Sequence, residues 1–342
     1  MIAEFDDFCL WMYVVIDEIW KGLPPLVRRP GPAPSCSDSE LISMAIVGQC
    51  RGWTLETDLI SYWHERRDLF QTVSERSSFN RRRRNLMQAI NCFRLVVLRL
   101  LDFAQDHSCT IDSLPVPVVQ FHLVPGASRE GAALGAPFGK VATKKQTIFG
   151  YKLHLLVTLI GGIVDVVLAP AHAMDVTIGE ELLREHTDSM VIGYKGYIGA
   201  ALSASLADSN RLQLLTSPRP NPKQQLPREV AALLNARRQI IETVHGQLTD
   251  NFGIETNHAH TFWGLCARLY TKLEAHTLSV PPARVDWWLV QVREQRGHPE
   301  TIVIDSGPIF ASQALDAYAF QHDILLQFIR TAVHLASLID DR

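Results

Sequence analysis

The sequence lacks the patterns that identify several broad classes of protein. Its six cysteines, Cys9, Cys36, Cys50, Cys92, Cys109 and Cys266, include no C-x-x-C pair, and there is no low-complexity tract or internal repeat. Scattered cysteines favour reduced thiols over a disulfide framework or a structural zinc site. The absence of repeats excludes solenoids and fibrous proteins.

Long uncharged apolar segments are also lacking. The longest apolar run, 153–169, is interrupted by His154, Gly161, Gly162 and Asp165, so it falls short of the roughly 18 uncharged residues that a membrane helix needs. The N-terminus, MIAEFDDF, is acidic where a secretory signal requires positive charge. We therefore predict a cytoplasmic protein with no membrane partner.

A strong excess of charge of one sign is missing as well, since 33 Lys and Arg residues face 36 Asp and Glu residues and the net charge is -3. This balance gives no general indication of a nucleic-acid partner, which requires concentrated positive charge. Locally the charge is concentrated in three stretches, which contain Arg76 and Arg81–Arg84; Lys140, Lys144, Lys145 and Lys152; and Arg219, Lys223, Arg228, Arg237 and Arg238. These stretches predict contacts with phosphate, although a solvated helix face would also explain the arginine run.

The chain has 342 residues, of which 47% are hydrophobic, and this length allows about two domains. Residues 1–107 are predicted to be helical. Ser37-x-x-Glu40 forms a capping-box pattern, and 79–103 has the apolar spacing of one helix with the arginine run in its first turns. Cations in the first turns of a helix interact unfavourably with the helix dipole. A phosphate backbone nearby would offset this unfavourable interaction.

From residue 109 the pattern changes to that of an α/β domain, which we place at 108–280. Cys109–Asp112 is a predicted short strand that ends in a carboxylate, and 151–169 is a predicted hairpin with a two-residue turn at Gly161-Gly162. Further predictions are strands at 190–194 and 212–216 and helices at 177–186 and 228–248. A composition break at 279–282 begins a tail, 281–342, with predicted strands at 301–304 and 324–329 around a helix at 312–321.

Two carboxylates are candidates for chemistry. Asp112 would end a buried strand, where a carboxylate needs a cation, although an aspartate of a turn or cap is the more common explanation for such a residue taken alone. Glu242 lies four residues after Arg238, so a helical surface ion pair is the alternative for it. Together with the basic stretches, the two suggest phosphoryl transfer by two Mg²⁺ ions held by carboxylates.

Other polar and aromatic residues have simpler explanations. His258-x-His260 lacks further ligands at zinc spacing, and His154 and His172 are expected to be structural. The tryptophans are expected to pack in the core, and only Trp263 is close enough in sequence to the Glu242 helix to suggest stacking on DNA.

Several ordered motifs resemble one family. They are TIDSLPVP around Asp112, FGYKLHLLVT, APAHAMDV, GYKGYIG, SPRPNPK and RRQIIETVHGQL around Glu242. Over about residues 1–280 the chain resembles the DDE transposases of bacterial insertion sequences, closest to the insertion-sequence nine-eight-two group. The resemblance implies a ribonuclease-H-like mixed-sheet catalytic core preceded by a helical DNA-binding region.

The same resemblance implies a function and its residues. Asp112 and Glu242 would be the first and last metal-binding carboxylates for Mg²⁺ or Mn²⁺, and the activity would be strand cleavage at transposon ends followed by strand transfer into target DNA. The predicted partners are the terminal repeats and target DNA, and the sequence leaves a homodimer open. The predicted DNA contacts are Arg76, Arg81, Arg82, Arg83, Arg84, Lys195, Arg219, Lys223 and Arg238.

One position departs from the family. Its middle motif has an aspartate, the second metal ligand, where this chain has Tyr194 in Gly193-Tyr194-Lys195. A neutral phenol is a poor ligand for Mg²⁺, so we predict impaired cleavage. The alternative is a catalytically inactive DNA-binding remnant that occupies transposon ends. Asp175 is the nearest spare carboxylate in sequence.

The tail resembles a second family. Its segment Asp305-Ser306-Gly307-Pro308-Ile309-Phe310 is similar to part of a retroviral-type integrase core found in another class of insertion sequences, but it lacks the other carboxylates of that core. We therefore predict that 281–342 is a short α/β remnant, joined to the transposase as a chimera.

Overall fold

The computed structural model describes residues 2–24, 26–27, 31–101, 103, 107–119, 138–141, 146–216, 228–259, 261–279, 301–305 and 325–329. The chain forms two compact units. One contains Met1–Val47, Ser61–Val73 and Pro281–Arg342, and the other contains Gly48–Ile60 and Ser74–Val280. The domain boundaries at 107 and 280 stay predictions.

The helices of the described residues are α1 (Ile2–Gly22), α2 (Asp38–Cys50), α3 (Glu56–Glu65), α4 (Arg76–Asn85), α5 (Met87–Leu100), α6 (Asp175–Leu183), α7 (Ala200–Asn210), α8 (Arg228–Gly246) and α9 (Phe262–Ser279). The strands are β1 (Ser108–Val119), β2 (Phe138–Val141), β3 (Gln146–Thr158), β4 (Ile163–Pro170), β5 (Met190–Gly193), β6 (Gln213–Thr216), β7 (Thr301–Asp305) and β8 (Leu325–Ile329). Helices come first and a mixed, curled sheet follows. This mixed α/β architecture is consistent with a ribonuclease-H-like core and confirms the predicted fold class.

The predicted capping box at the start of α2 is confirmed. The Ser37 backbone N–H donates to Glu40 Oε2 at 2.5 Å, and the Glu40 N–H donates to Ser37 Oγ at 3.1 Å. Each residue thereby satisfies a donor that the first turn of a helix leaves without a partner. The helix that follows is buried continuously from Leu41 to Gln49, as expected for a helix that is apolar on all sides.

The unit that contains α1 has its own aromatic core. Trp63 is fully buried and meets Phe70 edge to face, with ring centroids 5.1 Å apart. The Tyr13 ring on α1 also meets the Phe70 ring edge to face, with centroids 5.5 Å apart. An ion pair between Arg66 and Asp6, at 2.6 Å, adds a polar contact between the same segments.

The single helix predicted over 79–103 is wrong in one respect, because it is two helices that meet at Leu86. The predicted place of the arginine run is therefore also wrong: Arg82, Arg83 and Arg84 lie in the last turn of α4 and not in the first. Cations near a helix C-terminus interact favourably with its dipole. The helix dipole consequently gives no reason to expect a phosphate at this run.

The large sheet has the strand order β2-β3-β1-β5-β6, with β4 also paired to β3. Strand β1 is antiparallel to β3 from Cys109 to Val119 but parallel to β5 only from Ser108 to Ile111. The parallel and antiparallel halves of the sheet therefore meet along β1 and separate after Ile111. Helices α8, α6 and α7 lie against this sheet.

Strand and turn lengths correct two predictions. Asp112 does not end its strand, since β1 continues to Val119. The β3–β4 hairpin is confirmed, but its connection is 159–162 and not two residues, and Gly161 adopts a φ of 93° within it. Such a left-handed conformation favours glycine.

Helix α9, which the sequence patterns did not predict, packs on α5 and α4. Glu56 accepts from both Arg83 on α4 and Arg268 on α9, the latter at 2.6 Å. Both guanidinium groups are largely buried, so this carboxylate joins two helices inside the unit.

Strands β7 and β8 pair in parallel, from Thr301 opposite Leu325 to Asp305 opposite Ile329. Both predicted tail strands are thus present, while the predicted tail helix and the turn after Asp305 lie outside the described residues. All six cysteines are free. In the part of the chain that the structure describes, no helix combines the length and the apolar character needed to cross a membrane.

Candidate active site on the central strands

Asp112 lies on β1, one residue beyond the point where β5 stops pairing with it. Ile111 is opposite Gly193, the last residue of β5, and Asp112 is opposite Leu155 of β3. Among the described residues no strand pairs with β1 beyond Ile111 on the β5 side, so Asp112 sits where the sheet opens. A polar side chain at such an opening can meet a ligand.

Tyr194 is brought directly beside Asp112 by the parallel pairing. Its backbone N–H donates to the carbonyl oxygen of Ile111 at 3.4 Å. The phenol ring is half-buried and packs against the apolar cluster beneath α6 and α7. The structure therefore places Tyr194 and Asp112 as neighbours.

Helix α8 supplies Glu242 and Arg238 to the same region, because it packs on both β1 and β5. The Arg238 guanidinium carbon lies 4.2 Å from the centroid of the Tyr194 ring, a cation–π arrangement. An Arg238 nitrogen is 3.9 Å from a Glu242 carboxylate oxygen. Glu242 is 57% exposed while Arg238 is only 19% exposed, so the guanidinium is the more enclosed partner.

Two neighbouring carboxylates act on Asp112. Its pKa is raised to about 7, mainly because of burial and with contributions from the charges of Asp175 and Glu242. The backbone N–H of Ser113 and the Arg238 guanidinium act in the opposite direction. Asp112, Asp175, Glu242 and Arg238 therefore form one electrostatic group.

Asp175 is held in place by a lysine. Lys152 Nζ lies 2.5 Å from Asp175 Oδ1 and donates to the Ala173 carbonyl oxygen at 2.8 Å. This pairing joins β3 to the start of α6. It also gives Asp175 a cationic partner of its own within the chain.

His154 and Tyr197 lie beneath this group. His154 is fully buried, and its Nδ1 is 2.8 Å from the hydroxyl oxygen of Tyr197. Burial lowers the pKa of His154 to about 4, with the charge of Lys152 acting in the same direction. His154 is therefore neutral near pH 7 and contacts Tyr197 through Nδ1, while its Nε2 is buried without a hydrogen-bond partner among the described residues, and its purely structural role stays a prediction.

The predicted basic contacts divide into separate groups. Arg76, Arg81 and Arg84 are exposed on α4. Arg82 and Arg83 are buried, with Arg83 only 2% exposed and paired to Glu56. Buried side chains have no surface to offer a phosphate, which corrects the prediction for these two arginines.

The remaining predicted contacts are located less fully. Lys195 follows Tyr194 on the chain, in the short 3₁₀ turn Lys195–Tyr197. Arg219 and Lys223 lie outside the described residues, as does His260. Trp263 is 60% exposed at the start of α9, which leaves its predicted stacking on DNA sterically open.

The site offers fewer oxygen ligands than a pair of divalent ions requires. Mg²⁺ prefers several oxygen ligands in octahedral geometry. Among the described residues no three His, Cys, Asp or Glu side chains form a group that could hold a metal ion. At the position nearest Asp112 a phenol covered by a guanidinium stands in place of a carboxylate, so these residues do not fit a two-metal site.

Sequence patterns had identified Asp112, Glu242 and the departure at Tyr194, but they missed the pairing of Lys152 with Asp175 and the bond between His154 and Tyr197. A usable signal existed, because Lys152 and His154 are two apart on a strand and so share one face. Nothing in the local sequence indicated that Arg238 would cover Tyr194, since that contact depends on how α8 packs on the sheet.

Residues 110–261 match the family model described as Transposase DDE domain. The matched segment is less than half of the chain. No curated protein and no solved structure matches the sequence. The matched segment contains Asp112, Asp175, Tyr194 and Glu242, together with the mixed sheet that positions them. Residues 110–261 are therefore similar to a transposase DDE domain, which supports a DDE-type transposase.

Proposed function

We propose that the protein is the transposase of a bacterial insertion sequence that binds DNA but whose metal-dependent strand cleavage is impaired at Tyr194. The family match supports the transposase role. The observation that carries the impairment is the cation–π pair in which Arg238 covers Tyr194 at 4.2 Å, beside Asp112.

A positive group in this position works against metal binding. The Arg238 guanidinium already offsets part of the negative charge of Asp112, whose pKa it lowers. An entering divalent cation would be repelled by Arg238 and would gain no ligand from the Tyr194 phenol. Asp112 and Glu242 alone leave its coordination incomplete, because the third carboxylate, Asp175, is already paired with Lys152.

DNA binding is assigned to exposed cations. Arg76, Arg81 and Arg84 lie on the exposed part of α4 and can release counterions from a phosphate backbone. Lys195 directly follows Tyr194 in the sequence. Arg238 lies close to Tyr194 in space. We restrict the proposed phosphate contacts of α4 to its three exposed arginines.

The test is the substitution Tyr194→Asp, with Tyr194→Phe as the matched control. A third carboxylate beside Asp112 supplies an oxygen ligand, so we expect Mn²⁺ to bind at least about tenfold more tightly in Tyr194→Asp than in the parent protein. Mn²⁺ binding is followed by electron paramagnetic resonance, and nicking of a plasmid that carries the element's ends is measured in Mg²⁺ and in Mn²⁺. Tyr194→Phe keeps the ring and should behave as the parent.

Two results would contradict the proposal. One is equal Mn²⁺ affinity and equal nicking in the parent and in Tyr194→Asp. The other is strong nicking by the parent that Asp112→Ala leaves unchanged, because cleavage would then depend on a different site.

The second candidate is a catalytically inactive remnant that occupies transposon ends. The same cation–π contact between Arg238 and Tyr194 favours it. It predicts that the Tyr194→Asp variant binds Mn²⁺ but gains no DNA-nicking activity. Both functions predict that the parent protein binds DNA in the absence of divalent ions.

We propose in addition that the protein belongs to the insertion-sequence nine-eight-two group, is located in the cytoplasm, and assembles as a homodimer on terminal repeats and target DNA. We also propose that 281–342 originated as a remnant of an integrase core. The parallel pairing of β7 with β8 supports the last of these, because it places Asp305 at the end of a short parallel sheet.

A further inference from the structure

Lys152 places a positive charge between two oxygen atoms beside the candidate active site. Its Nζ lies 2.5 Å from Asp175 Oδ1 and donates to the Ala173 carbonyl oxygen at 2.8 Å, and its side chain is only 13% exposed. Carboxylate and backbone carbonyl oxygens are also the atoms with which proteins bind hard metal ions. The ammonium group therefore occupies a position whose oxygen atoms would suit a metal cation as well.

The Asp175 carboxylate is fixed on its other side by Gly196. A Cβ atom on Gly196 would come within 2.5 Å of Asp175 Oδ2, so the backbone of this residue packs directly on that oxygen. Asp175 begins α6 and Lys152 lies in β3, so both members of the ion pair belong to regular elements. The surrounding fold, as well as Lys152, therefore holds Oδ1 at the cation position.

This position adjoins a cavity of about 560 Å³, whose lining includes Lys152, Ala173, Asp175 and Gly196. One water molecule takes about 30 Å³ in the liquid, so the cavity has room for several of them. Mg²⁺ usually keeps several waters and binds proteins through only one or two carboxylates. An ion in place of the ammonium group could thus complete its coordination with water.

The cation position also belongs electrostatically to the candidate active site. The charge of Asp175 acts on Asp112, whose pKa it raises. Glu242 acts on Asp112 in the same way, and an Arg238 nitrogen lies 3.9 Å from its carboxylate oxygen. In a two-metal site, bound ions balance the charge of such carboxylates. Here a lysine and an arginine of the chain lie beside them instead.

We infer that Lys152 is a built-in cation of this site: its ammonium group takes the position at Asp175 Oδ1 and the Ala173 carbonyl oxygen that a hydrated divalent ion would otherwise bind. To reach Asp175, a divalent ion has to displace the ammonium group and leave a largely buried charge without its partner, which is unfavourable. The inference deepens the proposed function and rests on it, because it explains why a carboxylate near Asp112 does not compensate for Tyr194.

The experiment removes the ammonium group from the full chain. Lys152→Ala opens the position to the cavity, so we expect this variant to bind Mn²⁺ at least about tenfold more tightly than the parent, as measured by electron paramagnetic resonance. Mn²⁺ should also raise the melting temperature of Lys152→Ala more than that of the parent, because a ligand of the folded state stabilises it. Lys152→Arg is the matched control: it keeps a positive charge beside Asp175 and should bind Mn²⁺ as the parent does.

A double variant assigns the gain in affinity to this position. Lys152→Ala combined with Asp175→Asn lacks the carboxylate ligand, so its Mn²⁺ affinity should return to that of the parent. A gain that persists without the carboxylate would show that the ion binds elsewhere, and the inference would then be overturned.

A measurement on the parent does not depend on whether Lys152→Ala folds. The nitrogen-15 NMR signal of Lys152 Nζ, assigned by its absence in Lys152→Arg, should stay unchanged when millimolar Mg²⁺ is added, because a built-in cation keeps its place. A change in this signal would show that Mg²⁺ displaces the ammonium group, which contradicts the inference.

The outcomes separate this inference from the proposed function. Equal Mn²⁺ affinity of the parent and of Lys152→Ala would overturn the built-in cation and leave the impairment at Tyr194 in place. If Tyr194→Asp gains neither Mn²⁺ affinity nor nicking, the proposed function fails, and a gain of Mn²⁺ affinity in Lys152→Ala would still support the cation position at Asp175.

Discussion

Glu274 on α9 is a carboxyl group without any exposed surface, and neither of its oxygens has a hydrogen-bond partner among the described residues. Burial raises its pKa to about 8, and the charge of Arg94 opposes that rise only in part. An ionised carboxylate in such a place would be strongly destabilising. Glu274 is therefore a neutral acid in the folded protein near pH 7.

Replacing Glu274 by glutamine should make the stability less dependent on pH. The pKa is raised from an ordinary value of 4.5 to about 8 on folding, so between these values the unfolded chain releases a proton that the folded chain keeps. The parent therefore loses stability as pH rises through this window, by on the order of 5 kcal/mol at most. The difference in melting temperature between Glu274→Gln and the parent should grow from pH 5 to pH 8.

Glu180→Gln is the control for this measurement, because Glu180 is exposed and forms only a surface pair with Arg184. Its pH curve should run parallel to that of the parent. If the curve of Glu274→Gln also runs parallel to the parent, Glu274 ionises normally in the folded protein and its proposed neutrality is wrong.

The candidate site residues could be singled out to different extents. The resemblance to a known family pointed to Asp112 and Glu242, and the departure at Tyr194 was visible in the same way. Their surroundings were not, because the pKa of Asp112 depends on α6 and α8, which are distant in sequence. Burial of Arg83 was equally invisible, since its partner Glu56 lies on another helix.

Helix α4 carries arginines with two different roles. Arg83 is buried against Glu56, whereas Arg81 is exposed two residues earlier. A sequence run of identical residues does not show this division, because the direction of each side chain depends on which face of the helix packs. The run is therefore both a packing element and a candidate DNA contact.

Substituting these two arginines in parallel should separate the roles. Arg83→Ala leaves Glu56 short of a buried partner and should lower the free energy of unfolding by about 3 kcal/mol. Arg81→Ala should change stability by less than about 0.5 kcal/mol but reduce the slope of log affinity against log salt by about 1. Chemical denaturation and DNA titrations at several salt concentrations measure the two effects.

The opposite pattern would reverse these assignments. If Arg81→Ala destabilises the fold while its salt dependence stays that of the parent, α4 does not present Arg81 to DNA. A loss of stability in both variants would show that the whole arginine run packs inside the protein.

Among the elements, the strands of 146–216 and the helix at α8 were predicted within a few residues. The errors came where local pattern competes with packing. Strand β1 runs past Asp112 through Leu-Pro-Val-Pro-Val because β3 pairs with it along that length, although proline normally weakens a strand interior. Helices α4 and α5 break at Leu86 although the apolar spacing continues across it.

For the chain as a whole, removal of 281–342 should leave DNA affinity nearly unchanged. Every residue proposed to contact DNA lies before this segment, and β7 and β8 pair with each other. Anisotropy titrations of the full chain and of the chain that ends at Val280, at matched salt, measure this. A loss of more than about tenfold on truncation would show that the tail takes part in DNA binding.

Helix α9 shows why a sequence alone gave an incomplete outline of the molecule. Its buried residues include Lys272, Glu274 and His276, which a search for apolar spacing treats as solvent-facing. Lys272 is accommodated because its ammonium donates to the Gly253 carbonyl oxygen at 2.9 Å. Such compensation arises between segments and leaves no local pattern.

The pairing of β1 has a consequence for how the protein is made on the ribosome. Antiparallel β3 follows β1 closely, but its parallel partner β5 begins at Met190, and α8, which brings Glu242 and Arg238, follows later still. While the chain is being synthesised, the hairpin strands can form around Asp112 before Arg238 and Glu242 have emerged. The site is thus completed from its C-terminal side, and a nascent chain that stops before α8 contains Asp112 and Asp175 but neither Arg238 nor Glu242.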